Sequence, residues 1–238
     1  MAEEIQPDAG QYPSEALGPM VPSQDTPTSP TEVRPAQHHW ENVYQNKADN
    51  EVSWYEQRPD LSVSLLRSAG VELDATVVDI GGGASALVDV LMRAGQAHVT
   101  VLDLSAAALE RARERLSAAP GVDWVVSDIR DWRPGRLFDA WHDRAAFHFL
   151  TATEDQEAYI VVLKSALSVG GVAIIGTFAP DGPEKCSGLP VARHDAVSLQ
   201  RLLGADFELC DSRSHAHHTP WGTVQKFQFS TFRRQGLS

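Results

Sequence analysis

The stretch Val77-Val78-Asp79-Ile80-Gly81-Gly82-Gly83-Ala84-Ser85 constrains this chain more than any other part of its sequence. An apolar, β-branched run ending in an acid and three glycines predicts a buried strand that turns tightly into a helix, here Ser85 to Met92. Glycines at such a turn let backbone approach a ligand with no Cβ in the way, as in parallel sheets that hold a nucleoside cofactor. The next apolar run, Val99 to Asp103, ends in an acid 20 positions after Gly83. That is the spacing at which a carboxylate reaches ribose hydroxyls, and Leu104 beside it offers a wall for an adenine ring.

Charge narrows the choice of cofactor. Asp79 lies two residues before the first glycine and faces whatever the loop holds, which is repulsive for a dinucleotide pyrophosphate. S-adenosylmethionine has no phosphate and carries a sulfonium and an ammonium, so the sequence favours it, with a nicotinamide dinucleotide as the minor option. A third strand, Trp124 to Asp128, also ends in an acid, placed to take the adenine amino group while Ile129 packs on the ring. No Gly-Lys-Ser/Thr follows the glycines, which excludes a P-loop.

In order along the chain stand Val78-Asp79-Ile80-Gly81-Gly82-Gly83, Leu102-Asp103-Leu104-Ser105, Ser127-Asp128-Ile129, Phe138-Asp139-Ala140-Trp141-His142-Asp143 and Leu167-Ser168-Val169-Gly170-Gly171-Val172-Ala173-Ile174-Ile175. This series resembles the class I S-adenosylmethionine-dependent methyltransferases from Trp40 to the C-terminus, with Ser85 standing where many members have glycine. A few residues, Trp141-x-Asp143-Arg144, are similar to thiol and thiopurine methyltransferases. The resemblance implies that Asp79 and Gly81 to Gly83 flank the methionine moiety, that Asp103 and Leu104 hold the ribose and its surroundings, and that Asp128 and Ile129 hold the adenine. It implies S-adenosylhomocysteine as product. It also implies a Rossmann-like α/β fold: a mostly parallel seven-stranded sheet with one antiparallel strand near the C-terminus and helices on both faces.

Methyl transfer needs an oriented acceptor in a water-poor site, and a base only where the acceptor arrives protonated. The acceptor belongs beyond the C-terminal ends of the first, fourth and fifth strands, near the switch in strand order. Asp143, Arg144 and His148 follow the fourth strand within six positions. They are the candidate catalytic group, with His148 as base and Arg144 as holder of an anionic acceptor; Asp143 is also a cofactor candidate. The alternative is that Asp143 pairs with Arg144 and His148 faces the core. Phe178 and Cys186 follow the fifth strand as candidate acceptor contacts. The aromatic segment His38 to Tyr44, with Trp54 and Tyr55, resembles the N-terminal lid of small methyltransferases. There Trp40 and Tyr44 touch the cofactor or simply pack on the sheet, and Trp54 and Tyr55 close over the acceptor. His215, His217 and His218 have no Cys, Asp or Glu spaced with them as a metal site, and read as a solvated or interface face.

Residues 1–36 hold seven of the 14 prolines and six acids, with Arg34 as the lone base. They are expected to be a disordered acidic arm, with no transit or signal peptide, preceding a methyltransferase domain over 37–238 whose segment 37–70 is the lid. Across 238 residues the net charge is -12, from 20 basic and 32 acidic side chains, which argues against nucleic acid or an anionic membrane as partner. With two cysteines and no apolar run of membrane length, the chain reads as cytoplasmic. Ser105 is the expected cap of a helix carrying Leu109, Ala112 and Leu116. Gly95 stops a helix lined by Leu87, Val90, Leu91 and Ala94, and a further helix spans Glu154 to Leu167. Asp195 caps one with Leu199, Leu202 and Leu203. Strands Val172–Thr177, Phe207–Asp211 and Val224–Phe232 complete the sheet, the last two antiparallel. The leading functional expectation is methyl transfer to a small O, N or S nucleophile. Protein lysine methylation and a silent cofactor-binding interaction module are the alternatives, and oligomeric state is left open.

Overall fold

The computed structural model describes residues 1, 35–117 and 120–236. The expected arm therefore lies, up to residue 34, outside the described residues. The first helix, α1, spans Pro35–Asn46 and begins two residues ahead of the boundary expected after residue 36. In chain order there follow α2 (Asp60–Ser68), β1 (Thr76–Ile80), α3 (Leu87–Arg93), β2 (His98–Asp103), α4 (Ala106–Arg115), β3 (Val122–Val126) and β4 (Phe138–Arg144). Then come α5 (Thr153–Ala166), β5 (Leu167–Phe178), a ribbon of β6 (Lys185–Cys186) and β7 (Leu189–Pro190), α6 (Ala196–Leu203), β8 (Phe207–His218) and β9 (Val224–Arg234). Seven strands form one sheet in the order β3-β2-β1-β4-β5-β9-β8. Only β9 runs against the rest, pairing antiparallel with both β5 and β8, as expected for the fold class.

Alternation along β1 divides the core in two. Val77, with Val99 and Val101 of β2, packs under Leu65 and Leu66 of α2, Leu87, Val88 and Leu91 of α3, and Leu109 of α4. Val78 and Ile80 face the other way, onto Trp141, Tyr159, Leu163 and Leu199 beneath α5 and α6. Asp79 lies between Val78 and Ile80, so it shares the α2 and α3 side with Val77.

Helix ends follow the sequence signals. Ser105 Oγ accepts from Ala108 N at 3.1 Å, and Asp195 accepts from Ser198 N at 2.7 Å. Each such cap is worth about 1 kcal/mol. Gly95, at φ 91°, follows α3 in the left-handed conformation that ends a helix without a Cβ penalty. Three expectations are corrected. The apolar face of α3 is Leu87, Val88 and Leu91, since the helix starts two residues after Ser85 and Ala94 is its exposed end. β5 starts at Leu167, carried through Gly170 and Gly171 by a register shift against β4. β8 continues seven residues past Asp211 because it pairs with β9 as far as His218. Among the described residues no helix is long and apolar enough to cross a membrane.

Candidate functional site

Strand order reverses between β1 and β4, where consecutive connections leave in opposite directions and open a crevice at the strands' C-terminal ends. Two cavities meet there. A smaller, mostly apolar one of about 180 Å³ is lined by Gly81, Asp103, Leu104, Asp128, Ile129, Trp40, Phe149, Cys186 and Leu189. A larger one of about 480 Å³ is lined by Asp79, Gly82, Ser62, His142, Tyr55 and Glu56. Tyr44, Trp54, Gly81 and Arg144 border both.

The glycine loop is as tight as its composition predicts. Gly83 has φ 41°, and a Cβ there would lie 2.8 Å from Asp103 Oδ2. A Cβ at Gly82 would lie 2.6 Å from Asp79 Oδ2 and 2.7 Å from Val101 Cγ1. The loop thus brings the two acids to either side of bare backbone. Asp103 is buried, and Ser105 N donates to its Oδ1 at 2.8 Å. Burial, with the Asp79 and Glu41 charges adding to it, pushes its carboxyl up to about 7 against the pull of the Ser105 and Leu104 amides. Asp128 lines the smaller cavity while Arg130 Nε donates to its Oδ1 at 2.9 Å.

Helix α1 is fastened over the smaller cavity by charge. Ser105 Oγ donates to Glu41 at 2.8 Å, and Arg111 bonds both Asp49 and the Tyr44 carbonyl. Trp40 packs edge-on to Trp54 and Phe149, with centroids 5.5 and 4.8 Å apart, and Trp54 Nε1 donates to the Tyr44 hydroxyl at 3.1 Å. Trp40 and Tyr44 therefore both pack the helix and line a cavity. The strap that bears Trp54 and Tyr55 is held from beneath. Arg144 Nη1 donates to the Trp54 carbonyl at 2.9 Å, its other amine lies 3.0 Å from Glu56, and His217 Nε2 donates to the Ser53 carbonyl at 2.7 Å.

Sequence reasoning missed Glu56, Ser62, His142 and His217, whose partners lie 63 to 164 positions away. His142 stood in the fourth motif, and its place in β4 is in register with Asp79 of β1. His217 is corrected from a solvated residue to a buried one, 3% exposed, although His218 is exposed as expected. Glu56, His215 and His217 bring ligand atoms within 4.8 Å of one another. Arg144 already occupies that cluster as the counter-ion of Glu56. Burial raises the Glu56 carboxyl, and the His217 and Arg144 contacts outweigh it and leave it below its usual range.

Three further expectations are corrected. His148 is fully buried between Phe149 and Phe178, lines neither cavity, and has no partner for either ring nitrogen among the described residues. Burial, with the Arg144 charge adding, pushes it down to about 3, so it is a neutral core ring and not a base. Asp143 is also fully buried and lines neither cavity. It accepts from Tyr159 Oη at 2.7 Å, Ala146 N at 2.9 Å and Phe147 N at 3.0 Å. Those bonds hold the turn at Ala145, whose φ of 71° is a strained conformation for a residue with a Cβ. Asp143 thus acts through the turn that walls the smaller cavity, and does not pair with Arg144. Phe178 is core, packed on Phe227. Cys186 does line the smaller cavity, with burial pushing its thiol up to about 11.

Residues 77–171 match the family model described as a methyltransferase domain. The chain is 33% identical over 141 residues to trans-aconitate 2-methyltransferase of Paracidovorax citrulli, covering 58% of this chain and 50% of that protein. It is 26% identical over 110 residues to malonyl-[acyl-carrier protein] O-methyltransferase 1 of Ilyobacter polytropus, covering 46% of this chain and 40% of the relative. The chain thus spans about half the length of the curated relatives it matches. Among solved structures, the N-methyltransferase NodS from Bradyrhizobium japonicum in complex with S-adenosyl-L-homocysteine shares the fold, with a TM-score of 0.64 at 17% identity, covering 82% of this chain and 98% of NodS.

Proposed function

We propose, from the match of residues 77–171 to a methyltransferase domain and from the order of the sheet, that the chain is an S-adenosylmethionine-dependent methyltransferase acting on a small nucleophilic acceptor. The observation that carries this reading is that Gly81, Asp103, Leu104, Asp128 and Ile129, chosen for a nucleoside by spacing and chemistry, all line one narrow cavity. The residues fit the cofactor: a cradle that a Cβ would fill, a buried acid for ribose hydroxyls, and two apolar walls for a flat ring. Bound there, the cofactor would supply a methyl group on a sulfonium, which is a good leaving group. Asp103 would take the ribose, Leu104 and Ile129 the faces of the adenine, Asp128 its amino edge, and Asp79 with the glycine loop the amino-acid end. Trp40, Trp54 and Phe149 exclude water from the reacting space.

The acceptor would lie against Phe149, Cys186 and Leu189, with Arg144 as a fixed cation lining the same cavity. Among the described residues no imidazole lines the smaller cavity. This favours an acceptor that reaches the site already able to attack, such as a carboxylate or a thiolate, over one needing a base. Acids of that kind appear in the names of the trans-aconitate and malonyl-carrier relatives.

Calorimetric titration with S-adenosylhomocysteine tests the cofactor assignment. Saturable one-to-one binding that NADH does not displace is the expected result. Failure of the wild-type chain to bind, or displacement by NADH, overturns the assignment.

A further inference from the structure

The larger cavity contains an arrangement that the adenosine half of the site does not use. Asp79 and His142 stand side by side on β1 and β4, in register across the switch point. His142 Nδ1 is 2.7 Å from Asp79 Oδ1, and His142 Nε2 is 2.9 Å from Ser62 Oγ in the first turn of α2. All three residues are at most 3% exposed, yet all three line the cavity. A carboxylate only accepts, so Nδ1 carries the proton given to Asp79. In the neutral ring Nε2 then accepts from the Ser62 hydroxyl. This fixes the Asp79 carboxylate in one orientation, with Oδ2 turned to the bare backbone of Gly82. Oδ2 receives no hydrogen bond from any described residue.

Resting on the cofactor reading above, we propose that His142 and Ser62 are positioning residues. They aim Asp79 Oδ2 into the larger cavity as the receptor for the α-ammonium of the cofactor's amino-acid tail, which would leave the adenosine cavity past Gly81 and Trp54. The chemistry that selects such a ligand is a primary ammonium on a short chain. The order serine, histidine, aspartate is also that of a hydrolytic triad. Here the histidine serves the acid, because Ser62 is only 2% exposed and its hydroxyl is held on His142 Nε2.

Two ligands that share the adenosine half separate this role from a structural one. S-adenosylhomocysteine has the amino-acid tail, and 5′-methylthioadenosine lacks it. In His142→Leu, affinity for S-adenosylhomocysteine should fall roughly tenfold or more, the scale of a hydrogen bond to a charged group. Affinity for 5′-methylthioadenosine should stay within about twofold, as expected where a substitution leaves distant contacts intact. His142→Asn, whose amide nitrogen stands near the Nδ1 position, should restore most of the lost affinity. Equal losses for both ligands, no loss for either, or no rescue by asparagine would overturn the proposal, as would labelling of Ser62 by a fluorophosphonate. A wild-type chain that binds neither ligand overturns the cofactor reading itself; one that binds both ligands while His142→Leu is indifferent to the tail overturns only this inference.

Discussion

Replacing Asp143 with alanine should lower stability by about 3 kcal/mol or more, the cost of leaving buried hydrogen-bond donors without an acceptor. The Tyr159 hydroxyl and the Ala146 and Phe147 amides would all lose their partner. Tyr159 also accepts from Trp141 Nε1 at 2.7 Å, so the loss reaches the centre of the α5 core. For a domain of this size the midpoint of thermal unfolding should fall by roughly 6 to 12 °C. Burial pushes the Asp143 carboxyl up to about 6, above an unfolded value near 4. A raised carboxyl binds its proton more tightly in the folded chain. Its contribution is therefore full below pH 4 and declines as pH rises through about 6. The gap between wild type and Asp143→Ala, followed by calorimetry, should be wider at pH 4 than at pH 7. An unchanged midpoint would show that the turn at Ala145 does not depend on this acid.

Asp103→Ala should leave the fold intact and weaken S-adenosylhomocysteine binding by about 100-fold, the loss of two hydrogen bonds to a charged acceptor at about 1.5 kcal/mol each. Stability should fall by no more than about 1 to 2 kcal/mol, because the Ser105 amide loses its acceptor while a carboxylate that burial makes costly to charge is removed. With its carboxyl pushed up to about 7, Asp103 changes charge near neutral pH. The ionised form is the better acceptor for ribose hydroxyls. Wild-type affinity for 5′-methylthioadenosine, which does not itself titrate in this range, should therefore rise between pH 6 and 8, and Asp103→Ala should remove that dependence. Equal affinity in wild type and variant would take Asp103 out of the ribose site.

That Gly81, Asp103, Leu104, Asp128 and Ile129 gather at one cavity was legible because the determinants are local. A strand, three glycines and an acid twenty residues later are fixed by chain geometry, and the parallel pairing of β1 with β2 then sets Asp103 beside the loop. The larger cavity and the strap bearing Trp54 and Tyr55 were not legible, because they are built by contacts across the chain. His217 reaches Ser53, Arg144 reaches Glu56, and His142 reaches Ser62, pairs that no periodicity announces. Proximity in sequence misled at Asp143 and His148. Left-handed Ala145, helical Ala146 and the 3-10 turn Phe147–Phe149 turn the chain sharply after β4, which leaves Arg144 at the crevice and buries His148 behind it. The strand ends erred where tertiary pairing overrides local signals, as at Leu167, where β5 begins before its two glycines because β4 lies ready to pair.

Methyl transfer to a small acceptor is read most directly from the fate of a methyl label. Purified chain would be incubated with methyl-labelled S-adenosylmethionine and a lysate separated into small-molecule and protein fractions. Label entering the small-molecule fraction with wild type, and not with Asp103→Ala, is the predicted result. Label entering protein would instead make the chain a protein methyltransferase, and tight binding with no transfer to either fraction would contradict the account by leaving a silent cofactor-binding module.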